Sequence, residues 1–276
     1  MNQPKTDSPP RSSFSPDAVL AEHARGWRSK LFQAGSLLAV VLLASWYVDL
    51  LNFRILANGV PAIATLVGES LPPDFTHAMD WIAPLVDTLA MSIAGTAIAI
   101  TASIPLAFLA ARNTSPHPVV FHVTRTILNA LRSVPELVMG IIFVAAVGFG
   151  ALPGVIALGL HSIGMVGKFF AEAIEHVDPD PVEAANAAGA TRLQVHWHAV
   201  LPQVLPQFAD VSIYRWEHNF RASTVLGMVG AGGIGFELIG SLRIMQYQEV
   251  SAILIVILVM VTMVDSLGGQ LRKKFK

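Results

Sequence analysis

Apolar residues fall in long blocks along the chain, parted by shorter polar stretches. Blocks near residues 33–53, 84–111, 134–150, 153–174 and 249–268 carry runs of the kind that cross a bilayer as a helix, for which about 20 residues are needed. The third is short. A further stretch, 206–229, is so polar that hydropathy alone passes over it, yet the topology of its neighbours requires a span there. The pattern predicts an all-α membrane protein with about six transmembrane helices. No self-similarity recurs at a period of about 20 to 50 residues, which excludes a solenoid.

Composition agrees with the pattern: of 276 residues 53% are apolar and 13% charged, about half the charge of an average soluble domain. The net charge of -1 supplies no basic field for nucleic acid, so no nucleic-acid partner is expected. The absence of cysteine excludes disulfides, thiolate metal sites and cysteine nucleophiles. The nine histidines show no ligand spacing, and neither a metal nor a bound cofactor is expected.

Residues 1–30 hold prolines, serines and five basic side chains without a sustained apolar period, and read as a disordered basic tail. The block that follows is long enough to be an uncleaved membrane helix rather than a signal peptide, and residues 31–83 read as that helix and an outer loop. With the N-terminus inside, the inner segments carry thirteen Lys and Arg and the outer ones two, Arg54 and Arg243. That bias predicts cytoplasmic N- and C-termini.

It also puts residues 178–202 in the cytoplasm. There, Asp180 is a candidate helix cap, Pro181 suits the first helical position and Glu183 completes a capping box. Gly189 ends that helix, and Thr191 with Gln194 repeats the cap pattern for a second one closing at Leu201-Pro202. Ala184 and Ala185 leave the first helix with side chains small enough for another protein to approach its backbone. An ordinary hairpin packed on its own bundle is the alternative.

Glu183-Ala184-Ala185, then Gly189, then Leu201-Pro202 resembles the EAA signature of binding-protein-dependent ABC importer permeases, with Ala199 standing where that family usually has isoleucine. RSVPELVMG (132–140), KFFAEAIE (168–175) and YRWEHNFRASTVLGMVGAGGIGFEL (214–238) are similar to the permease of phosphonate importers, over roughly residues 80–276. The resemblance implies a type I, methionine-importer-like permease fold, with the permease transmembrane domain at 84–276. It further implies a second copy of the chain, two ABC ATP-binding subunits and a periplasmic or lipid-anchored phosphonate-binding protein. On the same grounds Glu183, Ala184, Ala185, Gly189, Leu201 and Pro202 are expected to couple to the ATPase.

The polar span contains Arg215, Glu217, His218, Asn219 and Arg221. A charge near the bilayer centre costs about 2.5 to 3.5 kcal/mol, so these side chains must face a cavity, a partner or each other. Glu217 and Arg221 stand in the order that favours an ion pair along one helix, leaving Arg215 over. One reading is a structural pair plus a snorkelling arginine. The other is a wetted path for a phosphonate-like anion, formed by Arg215, Glu217, Asn219, Arg221, Ser223 and Thr224, since arginine suits bidentate contact with such oxygens.

VGAGGIG (229–235) lacks the Lys-Ser/Thr ending of a nucleotide loop. Gly230, Gly232, Gly233 and Gly235 read instead as a tightly packed outer gate, or as an anion-contacting nest. His161 with Ser162 reads as a pair bonding between helices, and Lys168 as a snorkelling side chain.

A membrane-embedded enzyme would need a nucleophile and base, or a metal cluster, on facing spans. The chain has no HExxH, no GxSxG and no paired intramembrane aspartates, and His196 and His198 project about 200° apart on a helix. The expectation is therefore a non-catalytic permease of the bacterial inner membrane, with ATP and magnesium held by partner chains. Phosphonate is the expected cargo; phosphite, phosphate and related oxyanions stay open, because selection rests with another protein.

Overall fold

The computed structural model describes residues 16–275, and the chain divides between Val67 and Gly68 into two compact units. In the first, α1 (Pro16–Tyr47) includes the apolar stretch Lys30–Tyr47. The tail expected over 1–30 is corrected in its second half: Pro16 stands at the first helical position and the Ala-, Leu- and Glu-bearing sequence behind it favours helix. Residues 1–15 lie outside the described residues. A second helix, α2 (Phe53–Glu69), replaces much of the expected outer loop; Pro61 lies inside it.

The second unit is built around α6 (Ala151–Glu175), whose 25 residues span about 37 Å at about 1.5 Å per residue. Its glycines and small side chains bring α3 (Ile82–Ala110) close. A Cβ on Gly95 of α3 would lie 2.9 Å from Leu158 Cβ, the close approach typical of membrane helices. Helix α4 (Pro118–Ser133) packs along the C-terminal half of α6, and α5 (Glu136–Val147) continues beside it after a bend of 82°. The cause is local. Pro135 biases Val134 away from the helical region, and Val134 is extended at φ -88° and ψ 120°. At 12 residues, α5 is about 18 Å long and could not cross a bilayer alone.

The hairpin pair follows as α7 (Pro179–Ala187) and α8 (Arg192–Val195). One wide helical turn at His196–Val200 joins α8 to α9 (Leu201–Leu226), and a second at Gly227–Ala231 leads toward α10 (Ile234–Arg243). The last helix is α11 (Tyr247–Phe275). Among the described residues, four helices are long and apolar enough to cross a membrane, and six spans result if the two bent pairs each count as one. The fold is thus all-helical, as expected.

Glu175, the last residue of α6, ties that helix to the middle of α4 and to the chain just past α3. Its carboxylate accepts two 2.9 Å bonds from Arg125 Nη2 and one of 2.8 Å from the Arg112 backbone N–H. Arg125 also stacks 4.6 Å above the Phe121 ring, an arrangement that keeps a guanidinium in place with little freedom to lose. One layer further out, Phe170 and Phe208 stack face to face 3.8 Å apart, closing α6 on α9.

Candidate functional site

Two places in the second unit gather most of the residues singled out from the sequence: the hairpin at 178–202 and the middle of α9. In the hairpin the cap is Asp178, not Asp180. The Asp178 side chain accepts the Asp180 N–H at 3.0 Å, and Pro179, not Pro181, takes the first position of the first turn. Both prolines fit that turn, and the earlier Asp-Pro wins because Asp178 is itself extended at φ -60° and ψ 126°. Glu183 is consequently free of a capping box. It is exposed, as is Ala184, and no residue of α7 is buried.

Gly189 sits at φ +79° and its amide closes on Asn186 O, a conformation that costs other L-residues about 1 to 2 kcal/mol. Thr191 and Gln194 do form the reciprocal capping box. The second helix does not close at Leu201-Pro202. The wide turn at His196–Val200 lets Leu201 N–H reach His196 O and puts Pro202 in the first turn of α9, where a missing N–H is harmless. Leu201 is half-buried and Pro202 exposed, and the hairpin runs into the polar span without a break.

That span holds no Glu217–Arg221 pair. Glu217 faces α11 and binds Arg272, with Nη2 2.8 Å from Oε1, and Arg221 binds Asp265 at 2.7 Å. Arg215 points the other way. Its Nε donates to Ser162 Oγ at 2.7 Å and its Nη2 lies 3.5 Å from Glu136 Oε2. All three arginines therefore have acidic neighbours, and none is left over. Glu217 and Arg221 share the face turned to α11, and each finds its opposite charge there, in Arg272 and Asp265, instead of in the other.

Around Arg215 a polar cluster forms at the middle of α6. Ser162 donates to Asn219 Oδ1 at 3.1 Å, and Asn219 Nδ2 donates to Thr96 Oγ1 at 2.9 Å, joining α6, α9 and α3. His161 and Ser162 each bond to another helix: where Ser162 turns to α9, His161 turns to the head of α5, its Nδ1 donating to Val134 O at 3.0 Å and its Nε2 lying 3.3 Å from Glu136. His218 reaches the same carboxylate at 3.3 Å. Glu136, His161 and His218 were not singled out as site residues from the sequence. An acid directly after a proline at the head of an apolar block was the available signal, since ionisable groups inside a membrane mark functional sites.

Ser223 and Thr224 stand apart from this cluster. Ser223 is fully buried and its hydroxyl is directed to backbone oxygens of Phe220 and Thr88; Thr224 donates to Arg221 O at 2.7 Å. Lys168 lies 3.8 Å from Glu172. Beyond the C-terminal end of α9, Gly230, Gly232 and Gly233 all have positive φ, and the chain bends by 55° into α10. Gly235 packs so closely that a Cβ there would strike Thr224 O, and Ile234 N–H bonds Thr88 Oγ1 at 2.9 Å.

Residues 103–276 match the family described as the binding-protein-dependent transport system inner membrane component. The chain is 72% identical over 258 residues, 94% of each chain, to the phosphite transport system permease protein PtxC of Stutzerimonas stutzeri. It is 42% identical over 232 residues to the phosphate-import permease protein PhnE of Mycolicibacterium smegmatis, covering 84% of this chain and 43% of that one. A putative cryptic phosphonate transport system permease protein of Escherichia coli, PhnE2, is 44% identical over 44% of this chain and 98% of its own. In shape the chain is similar to the inward-facing MetNI methionine ABC transporter, with a TM-score of 0.62 over 71% of this chain and 96% of that one at 19% identity. A polar span set among apolar helices, a methionine-importer-like fold and the family match agree: the chain belongs to the binding-protein-dependent transport system inner membrane components, the permease subunits of ABC importers.

Proposed function

We propose that this permease carries phosphite across the bacterial inner membrane, energised by two ATP-binding subunits and supplied by a periplasmic or lipid-anchored binding protein. The observation that carries the reading is the 72% identity to a phosphite permease along 94% of both chains. Phosphonate uptake, expected from the sequence, is the second reading, favoured by the 44% identity to the phosphonate relative, which spans 44% of this chain. Two copies form the path, since each chain supplies one permease domain, and both termini lie in the cytoplasm.

The hairpin at 178–202 is the site where nucleotide-driven motion enters. Glu183, Ala184, Ala185 and Gly189 form the docking face, and Leu201-Pro202 transmit to α9, which is continuous with the hairpin. Arg215, Asn219 and the groups around them line the path, whose weak sites let the anion leave. Arg221 and Glu217, bound to α11, position that path, with Ser223 and Thr224 above them. The turn through Gly230, Gly232, Gly233 and Gly235 is the outer gate.

The test is the purified complex of this chain with its ATPase and binding protein. Phosphite should raise ATP hydrolysis in the presence of binding protein, above 2-aminoethylphosphonate and phosphate. Stimulation by the phosphonate in preference to phosphite would move the cargo to the second reading, and no stimulation by any of the three would refute the phosphorus-oxyanion reading.

A further inference from the structure

The Glu136 carboxylate lies among three groups from two other helices. Arg215 Nη2 is 3.5 Å from Oε2, His161 Nε2 3.3 Å from Oε2, and His218 Nε2 3.3 Å from Oε1. Glu136 itself stands in the first turn of α5, where free N–H groups and the helix dipole favour an anion. These contacts are longer than the roughly 2.7 to 2.9 Å usual for charge-assisted bonds. The carboxylate is held loosely.

The surroundings are not loose. Arg215 is 5% exposed and anchored through Nε to Ser162, which is held by Asn219, which is held by Thr96. His161 is fixed through Nδ1 on Val134 O. The side chains of Glu136 and His218 are 25% and 37% exposed, so the cluster opens on their side. A preorganised set of donors around a weakly held, accessible carboxylate is the geometry of a site whose occupant exchanges.

We infer that Glu136 is an internal counter-anion seated in an oxyanion site of the permease, and that the transported anion displaces it. The inference rests on the phosphorus-oxyanion reading above. Three nitrogens face a carboxylate that has two oxygens: Arg215 Nη2 always donates, His218 Nε2 donates in its Nε2–H tautomer, and His161, whose Nδ1–H is spent on Val134 O, donates through Nε2 when its ring is protonated. An anion with a three-oxygen face, as phosphite and phosphonates present, gives each donor its own acceptor. When no anion is present, Glu136 returns and keeps Arg215 from standing unpaired in a low-dielectric interior.

Equilibrium dialysis of labelled phosphite, phosphate and sulfate against the permease–ATPase complex in nanodiscs, without binding protein, tests this. Removing the internal competitor with Glu136→Gln should tighten phosphite binding about tenfold, the factor expected if the carboxylate fills the site about nine-tenths of the time. Glu136→Asp keeps the charge but withdraws it by one methylene, and should show a smaller gain; it serves if the glutamine variant fails to assemble. Adding His218→Asn to either variant should reverse the gain. If neither variant binds phosphite better than the wild-type complex, the internal-anion inference is overturned, while wild-type phosphite uptake would leave the cargo reading intact. Equal gains for sulfate and phosphite would uphold the displaceable carboxylate and remove support for a phosphorus-selective path.

Discussion

Arg272 Nη2 lies 2.8 Å from Glu217 Oε1, tying the C-terminal part of the last helix to the middle of α9. The two side chains differ in exposure, 29% for the arginine and 6% for the glutamate. Removing the arginine strands a buried carboxylate, which costs about 3 kcal/mol or more. Removing the glutamate leaves an arginine able to turn toward the interface, at about 1 kcal/mol. Arg272→Gln should therefore lower the thermal unfolding midpoint of the purified chain more than Glu217→Gln. The reverse order would mean that the pair does not carry the α9–α11 contact.

Gly235 has no room for a side chain, because the atom a Cβ would meet is Thr224 O, part of the α9 backbone. Backbone gives way less readily than a side chain, so Gly235→Ala should cost about 1 to 3 kcal/mol by overpacking. Gly240 lies on the same helix with nothing within 4 Å of a built Cβ, and Gly240→Ala should be neutral or slightly stabilising, as helix propensity predicts. Differential scanning fluorimetry of the two variants checks the contrast. Equal behaviour would show that the α9–α10 packing is slack.

What could be read from the sequence and what could not divides along a physical line. Spans were legible where a helix is apolar around much of its surface, and Gly189 and the Thr191–Gln194 box were legible because caps are local chemistry. Helix α2 escaped because Pro61 and a polar start weaken its pattern. The partners of Arg215, Glu217 and Arg221 escaped because ion-pair rules along one helix see neighbours four residues away, whereas Glu136 is 79 positions distant and Arg272 is 55. The hairpin's continuity with α9 escaped as well: a proline after a leucine reads as a stop unless a wide turn precedes it.

Asn219 is fully buried and bonded to both Ser162 and Thr96. Asn219→Ala would leave the Ser162 proton without its acceptor and Thr96 without a donor, an expected loss of about 1 to 3 kcal/mol. Because Ser162 also holds Arg215, the variant should lose transport further than its remaining folded fraction explains. Uptake normalised to folded protein measures that excess; a proportional loss would make Asn219 a packing residue and nothing more.

A Cβ built on Gly189 meets nothing within 4 Å, so within this chain a side chain there is penalised only through its positive φ. Gly189→Ala should accordingly cost about 1 kcal/mol and keep much of the transport activity. Gly189→Trp pays the same backbone term, yet its ring projects from the exposed hairpin into whatever docks there. If the hairpin is the ATPase seat, the tryptophan variant should insert normally and keep basal ATP hydrolysis wherever the complex still forms. The rise in hydrolysis that binding protein and phosphite produce should be lost, together with uptake. Parallel behaviour of the two variants would confine the effect to the backbone and refute docking at this turn. The alanine variant is what makes the comparison decisive, because it separates a strained glycine position from an occupied surface.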